Sequence, residues 1–339
     1  MNLNNGINLG GFLSQCVHTM EHYKSFITEQ DISKIAELGF DHIRLPIDYE
    51  VIEDCNQAIK EETIIFVDKA VDWCKKYNLN IILDLHKAPG YDFNDAGCAE
   101  KNNLFNDEKL KNRFINIWKI MANRYGKKPH VAFELLNEVV EQENADKWNE
   151  LIESCTNAIR SINKETPIIY GGIQWNSAKT LKLLKVPKDK NIIFTFHFYE
   201  PFLFTHQKAN WVKLMPKKDI FYPSTMEYFQ EETKILGYQG AGIDDAEQIK
   251  MGPEYIEYMI KEAILAAQNA NVSLYCGEFG VIDQAPIEDT LKWFEDVNEV
   301  FRKYKIGCAV WSYKLMDFGI TDEHYSPIFD KLISMWNNK

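Results

Sequence analysis

Short apolar, β-branched runs recur along the chain, each followed by a longer stretch in which apolar positions return every three or four residues. The runs are Ile7–Gly10, Asp41–Pro46, Asn80–His86, Val131–Asn137, Pro167–Gly171, Ile192–Tyr199, Val272–Glu278 and Gly307–Trp311. The longer stretches are Glu29–Leu38, Glu62–Tyr77, Glu108–Tyr125, Ala145–Asn163, Ser177–Leu184, Pro253–Asn269, Ile287–Tyr304 and Ser326–Trp336. The first pattern predicts strands and the second amphipathic helices. Ile81-Ile82-Leu83 and Ile192-Ile193-Phe194 lack a polar face, as strands covered on both sides do. Strand–helix alternation predicts a parallel sheet, and eight repeats predict its closure into a (β/α)8 TIM barrel, an α/β fold. Residues 1–339 read as one such barrel, since this fold runs long as a single unit.

One connection breaks the rhythm. After Tyr199 no barrel-helix pattern returns until Pro253, and residues 201–252 carry Phe202, Phe204, Trp211, Phe221, Tyr222, Tyr228, Phe229 and Tyr238. Long connections in compact domains are functional or disordered, and this aromatic content argues against disorder. The segment predicts a small insertion subdomain that walls one side of a cleft.

The predicted strands end alike. Their C-terminal ends read Ile43-Arg44-Leu45-Pro46, Asp84-Leu85-His86, Leu136-Asn137-Glu138, His197-Phe198-Tyr199, Gly277-Glu278-Phe279-Gly280 and Val310-Trp311-Ser312. A barrel of this kind gathers its chemistry at that rim. Two of the residues are glutamates, on strands 4 and 7, which face each other across the mouth. Carboxylates so placed can approach to about 5–5.5 Å, the separation at which one attacks a sugar carbon while the other moves protons. Arg44 near Glu278 would keep it ionised and nucleophilic, and His197 near Glu138 would tune the proton donor. Asn137 suits a sugar 2-hydroxyl, Tyr199 would donate to Glu278, and His86 and His197 suit sugar hydroxyls. Trp311, Trp175 and Trp211 are the candidate stacking faces, with Tyr91 a weaker one.

Composition narrows the partners. Lys and Arg total 38 against 50 Asp and Glu, a net charge of −12, which disfavours nucleic acid, anionic membranes and polyanionic substrates and suits a neutral polymer. The seven cysteines are scattered and odd in number, so reduced thiols are expected. The N-terminus has no basic start before an apolar stretch, so the chain as it stands reads as cytoplasmic, or extracellular if a leader has been removed. A monomer is expected.

These motifs resemble glycoside hydrolase family 5, the large cellulase family. The likeness rests on Asn8-Leu9-Gly10-Gly11, Arg44-Leu45-Pro46, Asp84-Leu85-His86 with Pro89-Gly90, Glu134-Leu135-Leu136-Asn137-Glu138, His197-Phe198-Tyr199, Gly277-Glu278-Phe279-Gly280 and Trp311-Ser312-Tyr313, in the family's order. The resemblance implies an acid/base at Glu138, a nucleophile at Glu278, and supporting residues at Arg44, His86, Asn137, His197, Tyr199 and Trp311. It also implies no metal or cofactor, and endo-acting hydrolysis of β-1,4- or mixed-linkage β-1,3-1,4-glucan with retention. The alternatives are a β-mannanase of the same mechanism and a non-catalytic carbohydrate-binding barrel.

Structural readings account for other polar residues. Glu134, four before Glu138, is expected to point into the barrel, and Asp84 to pair there with Arg44 or a histidine. A metal set built on His86, His197 and the glutamates is disfavoured because strand 1 has no His-x-His pair. His18 and His22 read as loop residues. Trp73, Trp118, Trp148, Trp293 and Trp336 are expected to pack against the barrel.

Overall fold

A computed structural model describes residues 1–240, 243, 246 and 249–337. Eight parallel strands close in sequence order: β1 (Asn5–Asn8), β2 (His42–Asp48), β3 (Asn80–Lys87), β4 (Val131–Glu134), β5 (Ile168–Gly171), β6 (Ile192–Phe198), β7 (Ser273–Phe279) and β8 (Gly307–Val310). β8 pairs back onto β1, which leaves no free sheet edge. The helices, in chain order, are α1 (Met20–Ser25), α2 (Glu29–Glu37), α3 (Tyr49–Ile52), α4 (Glu61–Lys76), α5 (Glu108–Tyr125), α6 (Ala145–Arg160), α7 (Phe202–Thr205), α8 (Met226–Thr233), α9 (Pro253–Ala270), α10 (Ile287–Tyr304) and α11 (Phe329–Asn337).

The eight predicted runs are the eight strands, with ends shifted by a few residues. The predicted helix over Ser177–Leu184 is only a 3-10 stretch, Ala178–Leu183, and α9 packs against it. The short helices α1, α3, α7 and α8 were not expected, because four to eight residues carry too little periodicity to read.

Strand parity separates two apolar compartments. Ile81, Leu83 and Leu85 of β3 join the large core between strands and helices. Ile82 joins Ala132, Ile169, Tyr275 and Ala309 in a small separate cluster inside the barrel. Above that plug the inward positions turn polar: Asp84 and His86 continue the parity of Ile82, and Glu134 that of Ala132. A strand alternates its faces, so the same runs supply core outward and chemistry inward. Trp118, Trp148, Trp293 and Trp336 are buried in the outer core, and Trp73 packs half-buried against it.

Register decides one further placement. On β6 and β7, Phe196 pairs with Cys276, but the next residue, His197, pairs with Glu278. The shift leaves Gly277 as an extra residue, a bulge of the kind that re-aims a side chain beside a functional site. Parity from inward-facing Tyr275 would send residue 278 outward. The bulge brings Glu278 back into the barrel mouth.

The insertion is anchored to the barrel wall. Tyr222 donates from its backbone N–H to Asp289 (3.0 Å) and from its hydroxyl to Asp296 (2.9 Å), both on α10. The Trp293 indole donates to the Glu200 carbonyl (2.9 Å). Within the insertion, the buried Gln207 carboxamide both donates to and accepts from the Ile220 backbone at 3.0 Å. Tyr238 lies outside the residues whose side chains are described.

Candidate active site

Arg44 lies at the centre of the site, fully buried. Its Nε and Nη2 donate to the two Glu134 oxygens (2.8 and 3.0 Å), and Nη2 also reaches Asn137 Oδ1 (2.8 Å) and Asp84 (3.0 Å). Nη1 donates to Asn8 Oδ1 (2.9 Å) and to Glu278 Oε1 (2.7 Å). A guanidinium has five N–H groups in a planar fork, and every nitrogen here is engaged. This corrects one expectation: Arg44 is not among the residues that line the cleft but lies buried beneath it, where it holds Glu278 together with the buried Glu134 and Asp84. Glu134 points into the barrel and Asp84 pairs there with Arg44 and His86, as expected. Burial pushes the Glu134 carboxyl above its ordinary range, against the opposing charge of Arg44.

Glu278 accepts from Arg44 on Oε1 and from the Tyr199 hydroxyl on Oε2 (3.0 Å). Burial alone would raise its pKa. The charges of His197, Arg44 and His86 overcome this and hold it below the usual carboxylate range. Glu138 is placed differently. Its Oε1 meets His197 Nδ1 at 2.7 Å, and among the described residues that is its one hydrogen-bond partner. The same His197 nitrogen lies 3.6 Å from Glu278 Oε2, and oxygens of Glu138 and Glu278 come within 4.8 Å of each other.

The histidines divide by environment. Burial opposes the protonation of His86, yet the Asp84 carboxylate, 2.7 Å from its Nδ1, raises it. Burial likewise opposes the protonation of His197, and the charge of Glu278 and the bond to Glu138 raise it. His206, which faces the same cleft from the insertion, is pushed down by burial to about 3 and stays neutral.

Above these groups opens a cleft of about 810 Å³. His86, Asn137, Glu138, His197, Tyr199, Glu278, Trp175, Trp211 and Trp311 all line it, so nine of the ten expected site residues meet there. Asn137 spends its carbonyl oxygen on Arg44, which leaves its amide N–H groups for a sugar hydroxyl. Trp311 is 7 % exposed and stacks parallel on His86, with planes 6° apart. Trp211 is 57 % exposed and stands out from the insertion. Phe202, His206 and Val212 complete that wall. Tyr91 is not a stacking face: it is buried, donates to Glu141 (2.9 Å) and accepts from the Val140 N–H (2.7 Å). His18 sits on an exposed loop, as expected, whereas His22 belongs to a helix. His18 meets Asp48 (3.1 Å) and Tyr23 (2.6 Å), and His22 lies on α1 and bonds the Gly11 carbonyl (2.8 Å).

Sequence reading missed Asn8, which accepts from Arg44 and donates to the Gly277 carbonyl (2.9 Å), tying the guanidinium to the β7 bulge. The motif Asn8-Leu9-Gly10-Gly11 was the available signal. Glu138, His197 and Glu278 form one cluster that could hold a metal ion, and His18, Asp48 and Glu50 form another. In the first, Glu138 already bonds His197, and Glu278 already bonds Arg44 and Tyr199.

The family model described as cellulase (glycosyl hydrolase family 5) matches residues 4–317. This chain is a member of glycosyl hydrolase family 5. It is 42 % identical to endoglucanase C of Acetivibrio thermocellus over 97 % of this chain and 96 % of that one. It is 38 % identical to cellodextrinase A of Ruminococcus flavefaciens over 89 % and 82 % of the two chains. Among solved structures it resembles a hyperthermophilic endo-β-1,4-glucanase in complex with substrate, with TM-score 0.77 and 26 % identity over 99 % of this chain and 97 % of that one. It also resembles Thermotoga maritima Cel5A in complex with mannotriose, with TM-score 0.75 and 27 % identity over 98 % and 97 %. As a family 5 member the chain is a glycoside hydrolase of the cellulase type, and the family's general mechanism is retaining.

Proposed function

We propose that this enzyme is an endo-β-glucanase that cuts β-1,4- or mixed-linkage β-1,3-1,4-glucan by double displacement, with Glu278 as nucleophile and Glu138 as acid/base. The observation that carries the reading is the pair of carboxylates at one cleft, with oxygens within 4.8 Å, under opposite surroundings. That approach is nearer the retaining separation of about 5–5.5 Å than the roughly 6.5–9.5 Å of an inverting pair.

Glu278, held ionised by Arg44 and His197, attacks the anomeric carbon. Protonated Glu138 gives its proton to the glycosidic oxygen as that C–O bond breaks, and the aglycone leaves as an alcohol. The products of this step are a glycosyl ester on Glu278 and a carboxylate at Glu138. That carboxylate takes a proton from water, the hydroxide attacks the anomeric carbon, and Glu278 departs as a carboxylate. In this reading Asn137 donates to the sugar 2-hydroxyl, Tyr199 steadies Glu278, and Trp175, Trp211 and Trp311 offer ring faces. The relatives named as endoglucanase and cellodextrinase support glucan over mannan.

Proton NMR of the first product from barley β-glucan should show the β-anomer before mutarotation. An α-anomer would refute the double displacement. Reducing-sugar release should be greater on β-glucan or carboxymethylcellulose than on β-mannan. A mannan preference would overturn the substrate and leave the chemistry standing.

A further inference from the structure

Between β5 and the 3-10 stretch that follows it, Gln174, Trp175 and Asn176 have φ of 55°, 55° and 54°. L-residues avoid this left-handed region, asparagine least, and three in succession without a glycine persist only where the surroundings over-determine them. The bonds that hold the turn run to the two partners of the acid/base pair. The N–H groups of Gln174 and Trp175 donate to the carbonyls of Val140 and Val139 (both 3.2 Å), the residues directly after Glu138. The Asn176 carbonyl accepts from the His197 N–H (2.9 Å), and His197 is the histidine bonded to Glu138.

Asn176 is itself fully buried, and its Oδ1 accepts from the Gly172 N–H (3.2 Å). A side chain at residue 171 would put a Cβ 1.8 Å from that oxygen, so Gly171 leaves the space the carboxamide fills. Gln174 and Trp175, on the other side of the turn, line the cleft beside Glu138.

We infer that this left-handed turn is the device that sets the Glu138–His197 contact, with Asn176 as its positioning residue and Trp175 as the sugar platform it carries. Asn176 touches neither substrate nor reacting atoms. It acts by holding His197 at one end and, through its neighbours, the chain after Glu138 at the other. Misplacement of a catalytic group by about 1 Å costs on the order of 10²-fold. The inference rests on Glu138 being the acid/base.

The test exploits the leaving group. A β-glucan linkage leaves as an alkoxide unless protonated, whereas 2,4-dinitrophenyl β-cellobioside releases a phenolate that needs no proton. Because kcat/KM reports the glycosylation step, loss of acid catalysis lowers it on β-glucan and spares it on the aryl glycoside. Asn176→Ala should lose about 10- to 100-fold on β-glucan, part of the about 10²–10⁴ that a general acid contributes, and clearly less on the aryl substrate, where only the smaller effects through Glu278 and Trp175 remain. Equal losses on both substrates, or none on either, would reduce Asn176 to a structural residue and overturn the inference.

Asn176→Gly accepts positive φ but lacks the carboxamide, so it should show the same selective loss, and it decides the question if Asn176→Ala does not fold. Glu138→Ala serves as the reference. If its loss is selective and that of the Asn176 variants is not, the turn inference fails while the acid/base assignment survives. If Glu138→Ala itself shows no selectivity, the acid/base assignment fails and the inference with it.

Discussion

The surroundings of Glu278 and Glu138 differ in kind although their oxygens come within 4.8 Å. Glu278 sits on a buried charge network: a permanent cation donates to one oxygen, a tyrosine hydroxyl to the other, and the β7 bulge that aims it is tied to Asn8. Glu138 stands against a wall instead. It has one hydrogen-bond partner among the described residues, a histidine, and its other oxygen is left for the cleft. The nucleophile role proposed for Glu278 asks for a carboxylate that stays ionised and still, and donors hold it from two sides. The acid/base role proposed for Glu138 asks for a group that loses and regains a proton in each turnover, and its partner is a histidine rather than the arginine that holds Glu278. On the proposed assignment, identical side chains take opposite tasks from the company each keeps.

The sharpest way to break this comparison is to remove the group on the floor. Glu278→Gln should abolish measurable turnover while oligosaccharide binding, followed by calorimetry, survives. Turnover like that of the native enzyme would remove Glu278 from the nucleophile's place. Glu138→Ala should lose about 10²–10⁴ on β-glucan. Azide, which attacks without a general base, should restore turnover of an activated aryl glycoside and yield a β-glycosyl azide, and absence of that product would count against the acid/base.

Disturbing the floor beneath Glu278 tests the network as a unit. Arg44→Ala leaves Asp84 and Glu134 buried without their cation. Breaking such a pair costs about 3–5 kcal/mol, to be read as a lowered urea midpoint. A variant as stable as the parent would show that the network is not held by charge.

A smaller effect is expected at Tyr199. Glu278 lies below the usual carboxylate range because His197 and Arg44, helped by the Tyr199 hydroxyl, outweigh its burial. Activity that needs Glu278 ionised should therefore persist below about pH 4.3, the ordinary glutamate value. Tyr199→Phe removes a donor to the charged form, so the pKa rises and the acid limb of kcat/KM moves to higher pH. A hydrogen bond to a charged group contributes about 1.5–3 kcal/mol, which corresponds to roughly 10- to 100-fold in rate. An acid limb unmoved in the variant would contradict the role given to the hydroxyl.

The smallest effect belongs to the outer wall. Trp211→Ala on the insertion should raise KM several-fold with kcat nearly unchanged, since an aromatic stacking contact contributes about 0.5–1.5 kcal/mol. A fall in kcat at constant KM would place Trp211 in the chemistry rather than in binding.

Much of this was legible in the chain. The apolar runs mark all eight strands because each must cover its outward face with helix. Polar residues at strand ends mark the rim because a barrel can expose function only where its strands stop. Glu138 and Glu278 stand out as acids closing otherwise apolar runs. Other features left no local trace. The helical pattern at 177–184 resolves into a 3-10 stretch packed against α9. Arg44 reads like a substrate ligand at a strand end, and only the closed barrel shows five partners from β1, β3, β4, β7 and the loop after β4 converging on it.

The sequence alone therefore determined the barrel, the rim and the two acids, because hydrophobic period and residue type are properties of single segments. The tertiary structure decided the tasks: the one-residue shift at Gly277 that turns Glu278 inward, the guanidinium beneath it, and the left-handed turn beside Glu138. Each depends on strands far apart in the chain meeting in one register, and a pairing between segments is written in neither segment by itself.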